Sequence, residues 1–288
     1  MKVDPANLDR AFNPKTVAIV GDSQKGGFPW LRNLSEFRGK VYSVQVNPES
    51  IKGIKALGVE NYTSLLDIPE PVDLVIVNLP RTLAPRILDD CIRKKAGAVH
   101  FFSSGFGETG TEEGMNLERT LVEKAERANF HIIGINCRGI FTPKIGLKQI
   151  AEQYSGISGP VGLISQSGGH AMTFARLAYL QGIVINKSVS FGNGIVLNAC
   201  DFLEYFAEDP EIKIIAMYME GVKDGPRFVR LLKDVTTRKP VVILKGGRTS
   251  DGGRAVASHT GSLAIPDRIW DGIIGQTGAI SVPGLDEM

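Results

Sequence analysis

Short β-rich runs alternate with amphipathic segments along almost the whole chain, and this alternation restricts the fold more than any other feature. The runs are rich in Val, Ile and Leu and end at Gly, Asn or Pro. Parallel strands joined by crossover helices give this pattern. The sequence therefore predicts an α/β fold built from parallel sheets.

The first half of the chain predicts one such sheet. Its five strands are expected at residues 17–20, 41–46, 74–79, 98–102 and 131–133. Between two of them, apolar residues from Ile87 to Ile92 recur at helical spacing and predict a helix with one buried face. Residues 1–148 are therefore predicted to form one domain.

The second half predicts another sheet after a break in the pattern. Residues 143–160 are rich in Gly, Ser, Lys and Gln without a sustained period, which is typical of a linker. Strands are then expected at residues 161–165, 188–191, 214–219 and 241–244, with a helix between the last two. Residues 149–288 are predicted to form the second domain.

The composition excludes several classes of partner. Hydrophobic residues make up 43% of the chain, charged residues 22%, and the net charge is only +2, so nucleic acid is not an expected partner. The longest apolar runs fall short of the ~20 residues that a membrane span needs. The N-terminus lacks an apolar signal region, and the three cysteines have no CxxC spacing. We expect a soluble cytoplasmic protein without disulfides, membrane contacts or a metal site of its own.

A glycine-rich loop follows the first predicted strand. Residues 21–27 include Gly21, Ser23 and Lys25, and bare glycine lets backbone N–H groups approach a pyrophosphate closely. A tight turn without a ligand is the alternative, since the loop is not a strict GxGxxG sequence. The second predicted strand ends at Asn47-Pro48 where an NAD site usually has an acidic residue, which favours another nucleotide. Lys25, Lys40 and Arg81 are candidates for an extra phosphate such as the 3′-phosphate of CoA, or else are solvated surface charges.

Two features of the second half indicate phosphate chemistry. Ser167, Gly168 and Gly169 directly follow a predicted strand and precede a helix, so they form either an anion site at the helix start or a plain N-cap. His259 lies in a segment of small residues that leaves room around its ring. An uncharged imidazole is a good nucleophile toward phosphorus, although an exposed histidine without a role is the alternative.

Several motifs in register resemble one family along nearly the whole chain. The residues Ser258-His259-Thr260-Gly261-Ser262-Leu263 resemble the phosphohistidine loop of NDP-forming acyl-CoA synthetases, including ADP-forming acetyl-CoA synthetase. The small subunit of succinyl-CoA synthetase is similar in layout. The other motifs that carry the resemblance are, in order, Val46-Asn47-Pro48, Ser104-Gly105-Phe106, Asn136-Cys137-Arg138-Gly139, Ser165-Gln166-Ser167-Gly168 and Tyr218-Met219-Glu220-Gly221.

The resemblance implies an architecture and a mechanism. It implies a Rossmann-like CoA-binding domain followed by a flavodoxin-like domain that carries the histidine. Phosphate would pass from the nucleotide to His259 and then to a carboxylate, and the CoA thiol would attack the acyl phosphate. Glu220 would hold the other ring nitrogen of His259, and Ser167, Gly168 and Gly169 would stabilise the phosphate.

The same resemblance implies a set of CoA contacts and a missing part. Asp22 stands at a position where the family often has a small residue, and it would place a negative charge near the CoA phosphates. ATP or ADP, with Mg, would bind to an ATP-grasp subunit or fused domain outside these residues, a small carboxylic acid would be the acyl substrate, and an oligomer is expected. The predicted CoA-binding residues are Gly21, Ser23, Lys25, Asn47, Pro48, Pro80, Arg81, Ser103, Ser104, Gly105 and Asn136.

Two alternatives from other classes are weighed against the synthetase. A non-catalytic CoA-sensing module would explain the CoA-binding features but has no need for His259. An NAD-dependent dehydrogenase would explain only the first sheet. The combination of His259 and Glu220 therefore favours the enzyme.

Overall fold

A computed structural model describes residues 2–247 and 266–288. The first half of the chain forms a parallel sheet. Its six strands follow the order β3-β2-β1-β4-β5-β6. They are β1 (Thr16–Val20), β2 (Lys40–Val44), β3 (Glu60–Tyr62), β4 (Leu74–Val77), β5 (Ala98–Phe101) and β6 (Ile132–Gly134). The helices around them are α1 (Pro5–Phe12), α2 (Pro29–Asn33), α3 (Pro48–Ala56), α4 (Ala84–Lys94) and α5 (Glu112–Ala128).

The second sheet also has six strands, in the order β12-β11-β10-β8-β9-β7. All neighbours are parallel except β7, which pairs antiparallel with β9. The strands are β7 (Gly139–Phe141), β8 (Val161–Ser165), β9 (Ile185–Ser190), β10 (Ile214–Met219), β11 (Val241–Lys245) and β12 (Ile280–Val282). The helices are α6 (Gly168–Leu180), α7 (Ala199–Glu208), α8 (Gly225–Val235) and α9 (Asp267–Thr277).

The predicted α/β class is confirmed, and each predicted strand has a counterpart, but some boundaries were wrong. β2 and β4 each end two residues earlier than predicted, and β9 begins three residues earlier and ends one earlier. The strands β3, β7 and β12 were missed; each has only three residues, too few to show a hydrophobic period, although the equally short β6 was predicted. The division at residue 148 stays a prediction, although β7, which precedes it, already belongs to the second sheet.

The first part of the predicted linker, residues 143–150, is mostly packed, whereas residues 151–160 are mostly exposed or half-buried. Lys148 is only 2% exposed and forms an ion pair with Glu36. The side chain of the buried Gln149 donates to the carbonyl of Gly139 at 2.7 Å, and its own backbone carbonyl accepts from Asn33 at 2.8 Å. The polar composition of this segment therefore serves internal hydrogen bonds between the two halves.

Aromatic packing also joins the two halves. Phe12 of α1 contacts three aromatic rings of α7, with centroids 5.1–6.3 Å away. Those rings are Phe202, Tyr205 and Phe206. Because Phe12, Phe202 and Phe206 are all fully buried, one core spans both sheets and fixes their carboxyl edges relative to each other.

Among the residues that the structure describes, none of the helices is long and apolar enough to cross a membrane.

Candidate functional site

A cleft of about 490 Å³ lies where the two halves meet. It is lined by residues of the loops that follow β4, β5 and β6 and by the start of α6. The lining residues are Asn78, Pro80, Arg81, Phe102, Ser103, Ser104, Asn136, Cys137, Arg138, Ser167, Gly168 and Gly169. Carboxyl ends of adjacent parallel strands thus form one wall, which is where ligands bind in such sheets.

The start of α6 forms the opposite wall. Ser167 is the N-cap residue, and its hydroxyl oxygen accepts from the backbone N–H of His170 at 3.3 Å. The first turn contains no acidic residue, and Gly168 and Gly169 place no side chain over the backbone N–H groups. Ser167 therefore caps α6, and the positive end of the helix dipole faces the cleft.

Neighbouring polar groups hold the cleft in shape. Arg81 forms an ion pair with Glu113 at 2.9 Å, and the hydroxyl of Ser103 donates to a backbone carbonyl. The amide of Asn136 donates to Asn193 at 3.4 Å. Burial raises the pKa of the Cys137 thiol to about 12, so this cysteine stays protonated near neutral pH and is no nucleophile.

A second, smaller cavity of about 200 Å³ lies beyond the β4–α4 loop. The loop separates the two cavities, since Asn78, Pro80 and Arg81 line the first while Leu79 and Leu83 line the second. Its walls are largely apolar, and Arg86 and Asp90 are its charged lining residues among those described. An extended ligand that crosses this loop would occupy both cavities.

Of the predicted glycine-rich loop, only Gly21 lines this second cavity. Its φ of 90° suits glycine, and a Cβ there would lie 2.4 Å from the Leu79 side chain. Ser23 precedes a short 3₁₀ turn, Gln24–Gly26, without capping it, and Lys25 is exposed. Both side chains therefore lie outside the two cavities.

Asp22 is turned into the protein. Its carboxylate is fully buried and accepts from the backbone N–H of Leu31 at 2.9 Å and from the Asn78 amide at 3.2 Å. Burial raises the pKa of this carboxyl, opposed by those hydrogen bonds. Asp22 therefore organises the loop from behind, and its expected charge near the CoA phosphates stays a prediction.

Three other predicted CoA residues also line neither cavity. Asn47 is the N-cap of α3, where its side chain accepts from Ser50 N–H at 3.0 Å, and Pro48 begins the helix. Gly105 donates its N–H to Glu108 at 2.5 Å. The structure therefore gives these residues structural contacts and brings only Pro80, Arg81, Ser103, Ser104 and Asn136 together in the cleft.

Glu220 lies at the end of β10, next to the end of β8. Its backbone N–H and that of Gly221 both donate to the Gln166 side chain, at 2.5 and 2.9 Å. The pKa of Tyr218 is raised mainly by burial. The negative charge of Glu220 and a hydrogen bond to that residue raise it further. The Tyr218 ring stacks flat on His170, with centroids 3.9 Å apart.

Glu220 and Tyr218 lie close to the end of β11. A Cβ on Gly246 would come 2.5 Å from the Tyr218 hydroxyl and 3.4 Å from Cγ of Glu220. The chain therefore passes directly over Glu220 two residues before residue 248. His259 itself lies outside the described residues.

Sequence analysis missed four residues that line the cleft. Asn78 and Phe102 directly follow β4 and β5, whereas Cys137 and Arg138 lie in the connection between β6 and β7. Cys137 and Arg138 were quoted as part of a motif but were given no role. Position immediately after a strand identifies Asn78 and Phe102 once the strand ends are correct, whereas the sequence signal for Cys137 and Arg138 is the motif that contains them.

Two family models match the chain. The model described as a CoA binding domain matches residues 15–143, and the one described as a succinyl-CoA ligase like flavodoxin domain matches residues 158–288. The two predicted domain types are therefore confirmed, in the predicted order.

Individual relatives agree with the models. The chain is 40% identical over 289 residues to the alpha subunit of acetate–CoA ligase [ADP-forming] II of Pyrococcus furiosus, covering 98% of this chain and 61% of that one. It is 39% identical over 284 residues to acetate–CoA ligase [ADP-forming] I of Archaeoglobus fulgidus, covering 98% of this chain and 41% of that one. It thus spans about two fifths to three fifths of the length of these curated relatives.

A solved structure shows the same arrangement. The dinucleotide forming acetyl-coenzyme A synthetase 1 of Ca. Korarchaeum cryptofilum, solved in complex with phosphate and ADP, superposes with a TM-score of 0.86 at 32% identity. The match covers 97% of this chain and 60% of that chain.

Proposed function

We propose that this chain, which belongs to the NDP-forming acyl-CoA synthetase family, is the CoA-binding and phosphohistidine-carrying part of such an enzyme. The overall reaction would convert a carboxylate, CoA and ATP reversibly into acyl-CoA, ADP and phosphate. An ATP-grasp subunit or domain outside these residues would bind the nucleotide with its Mg.

The observation that carries the proposal is the composition of the cleft. One wall consists of loops from the CoA binding domain, and the other is the N-terminus of a helix from the second domain. Thioester formation from an acyl phosphate requires a thiol and a phosphoryl group to meet, and this cleft joins a candidate site for each.

CoA would reach the cleft from the second cavity. Its nucleotide end fits the apolar walls beside Gly21, where Arg86 offers a positive charge. The pantetheine arm would cross the β4–α4 loop near Pro80 and bring the thiol toward Ser103 and Asn136. The open glycine backbone at Gly21 is consistent with such a close approach.

The phosphoryl group would lie at the start of α6. Backbone N–H groups at Gly168 and Gly169 and the hydroxyl of Ser167 supply donors there, and the helix dipole favours negative charge. Fixed donors of this kind neutralise a phosphoryl group without having to reorganise during transfer.

His259 would carry the phosphoryl group between the nucleotide and this site. Glu220 would accept the N–H of the imidazole, which leaves the other ring nitrogen free to attack phosphorus. Attack of His259 on acyl phosphate would break the P–O bond to the acyl group and release the carboxylate. In the forward direction the carboxylate would attack the phosphoryl group on His259, which forms the acyl phosphate and releases the imidazole.

The reverse step gives a test that needs no nucleotide-binding partner. The chain alone, incubated with acetyl phosphate labelled in its phosphoryl group, should acquire acid-labile, base-stable label, which mass spectrometry should locate on His259. His259→Asn should abolish this label, and Glu220→Gln should slow its formation by roughly a hundredfold or more.

The same labelling should be repeated with γ-labelled ATP and the ATP-grasp part. Thioester formation that survives His259→Asn would contradict the phosphohistidine mechanism and favour a CoA-sensing module. Unchanged labelling in Glu220→Gln would remove only the role of that glutamate. Calorimetric titration with CoA should show equal affinity in both variants.

A further inference from the structure

The aliphatic stem of Arg138 lies beside the start of α6, and its guanidinium extends across the cleft. Its Cγ lies 2.7 Å from the position that a Cβ on Gly168 would occupy, so its stem packs against the first turn of α6. Its guanidinium carbon lies 4.9 Å from the ring centroid of Phe102 on the other wall. The backbone N–H of Arg138 donates to Ser190 at 3.2 Å, which fixes the root of the side chain.

The guanidinium is held by an aromatic ring and not by a carboxylate. Within residues 2–247 and 266–288, no ion pair joins Arg138 to an acidic side chain. Arg81, the other arginine of the cleft, is neutralised by Glu113, and Arg227 is paired with Asp201 and Glu204. Arg138 therefore brings into the cleft a positive charge that no carboxylate of the described residues pairs with.

The surroundings make this charge costly without a ligand. Arg138 is half-buried, and burial lowers its pKa, but guanidinium remains protonated at neutral pH. The adjacent His100 is fully buried, and burial lowers its pKa to about 4, so it is neutral and adds no further positive charge. A partly desolvated cation that lacks a protein anion is stabilised when an anionic ligand binds.

We propose that Arg138 is an oxyanion-binding residue of the cleft, at a position between the start of α6 and the CoA-binding loops. This inference rests on the proposed function, since the ligand is an oxyanion of that reaction. Two sources have the required chemistry: the phosphoryl oxygens of phosphate or acyl phosphate, and a second carboxylate on the acyl substrate. The planar guanidinium binds either group through two parallel hydrogen bonds.

Calorimetric titration of the chain with inorganic phosphate, succinate, acetate and CoA separates the two sources. If Arg138 binds phosphoryl oxygens, Arg138→Met should weaken phosphate binding by about tenfold or more and leave the other ligands unchanged. If it binds a second carboxylate, succinate should lose affinity while acetate and phosphate do not. Either result supports an oxyanion site at Arg138.

A matched control removes one positive charge elsewhere. Arg238→Met lies on the surface, where Arg238 pairs with Glu208 and Asp234, and should leave all four affinities within about twofold. The proposal is overturned if Arg138→Met also leaves phosphate and succinate binding within twofold, if the wild-type chain binds neither, or if only CoA binding is lost.

A second measurement does not depend on the folding of the methionine variant. The Nε–Hε NMR signal of Arg138, assigned by its loss in Arg138→Lys, should shift when phosphate or succinate is added to the wild-type chain. A signal that stays in place up to saturating concentrations overturns the proposal. These binding measurements do not require His259, so a chain that binds oxyanions through Arg138 but is never labelled at His259 would contradict the proposed function alone.

Discussion

The starts of α3 and α6 are both capped by a side chain but differ in what surrounds them. Both follow the carboxyl end of a parallel strand, and both have a side chain that caps the helix, Asn47 in α3 and Ser167 in α6. The first turn of α3 contains Glu49, and its cap residue is exposed outside either cavity. The first turn of α6 has no acidic residue and opens into the cleft beside Arg138.

The difference shows what turns a capped helix start into an anion site. The dipole of α3 is already complemented by its own carboxylate, whereas the dipole of α6 faces a cavity whose described lining residues include no carboxylate. Because the caps are equivalent, substitutions that preserve the cap but change its charge should affect the two helices differently.

The largest effect is expected from Ser167→Asp. Aspartate caps a helix as well as serine does, so thermal stability should be maintained, but its charge would repel a phosphate in the cleft. Phosphate affinity should fall by roughly a hundredfold in calorimetric titration, because placing like charges together costs several kcal/mol. The matched variant Asn47→Asp should leave phosphate affinity unchanged, and an equal loss in both variants would remove the distinction between the helices.

A smaller effect is expected from Ser167→Ala. The variant loses one donor to the anion and the helix cap together. Phosphate binding should weaken by about tenfold, and the free energy of unfolding should fall by about 1 kcal/mol. Chemical denaturation and titration on the same sample check both numbers. Loss of stability with unchanged phosphate affinity would make Ser167 a cap alone.

For α3 the corresponding variant is Asn47→Ala. The cap bond to Ser50 is lost, so the free energy of unfolding should fall by about 1 kcal/mol in chemical denaturation. Phosphate affinity should stay at the wild-type value because Asn47 lines neither cavity. Titration with CoA in the same variant tests the earlier prediction for Asn47, and weaker CoA binding would restore it to the site.

The smallest effect is expected from Glu49→Gln. Removing the carboxylate from the first turn of α3 takes away a favourable interaction with the helix dipole, worth about 0.3 kcal/mol at an exposed position. The loss should disappear in 1 M salt, which screens surface charges. A salt-independent loss would indicate that Glu49 acts through a specific contact.

The order of elements and the position of the α6 start could be predicted from sequence because both depend on local pattern. Apolar runs marked the longer strands, and serine followed by two glycines marked the cap at Ser167. The short strands β3, β7 and β12 could not be predicted, since their pairing with longer neighbours, and not their own composition, makes them strands.

Sequence alone determined the two domain types, the capped glycine-rich start of α6 and the presence of His259 and Glu220. Only the tertiary structure decided which strand-end residues face the cleft, because a side chain one residue farther along can point to the opposite side. Asp22 points inward to Leu31 N–H, and Asn47 is used by its own helix, whereas Arg138 faces the cleft. These outcomes depend on how the loops pack against each other across the two sheets, which no local sequence period records.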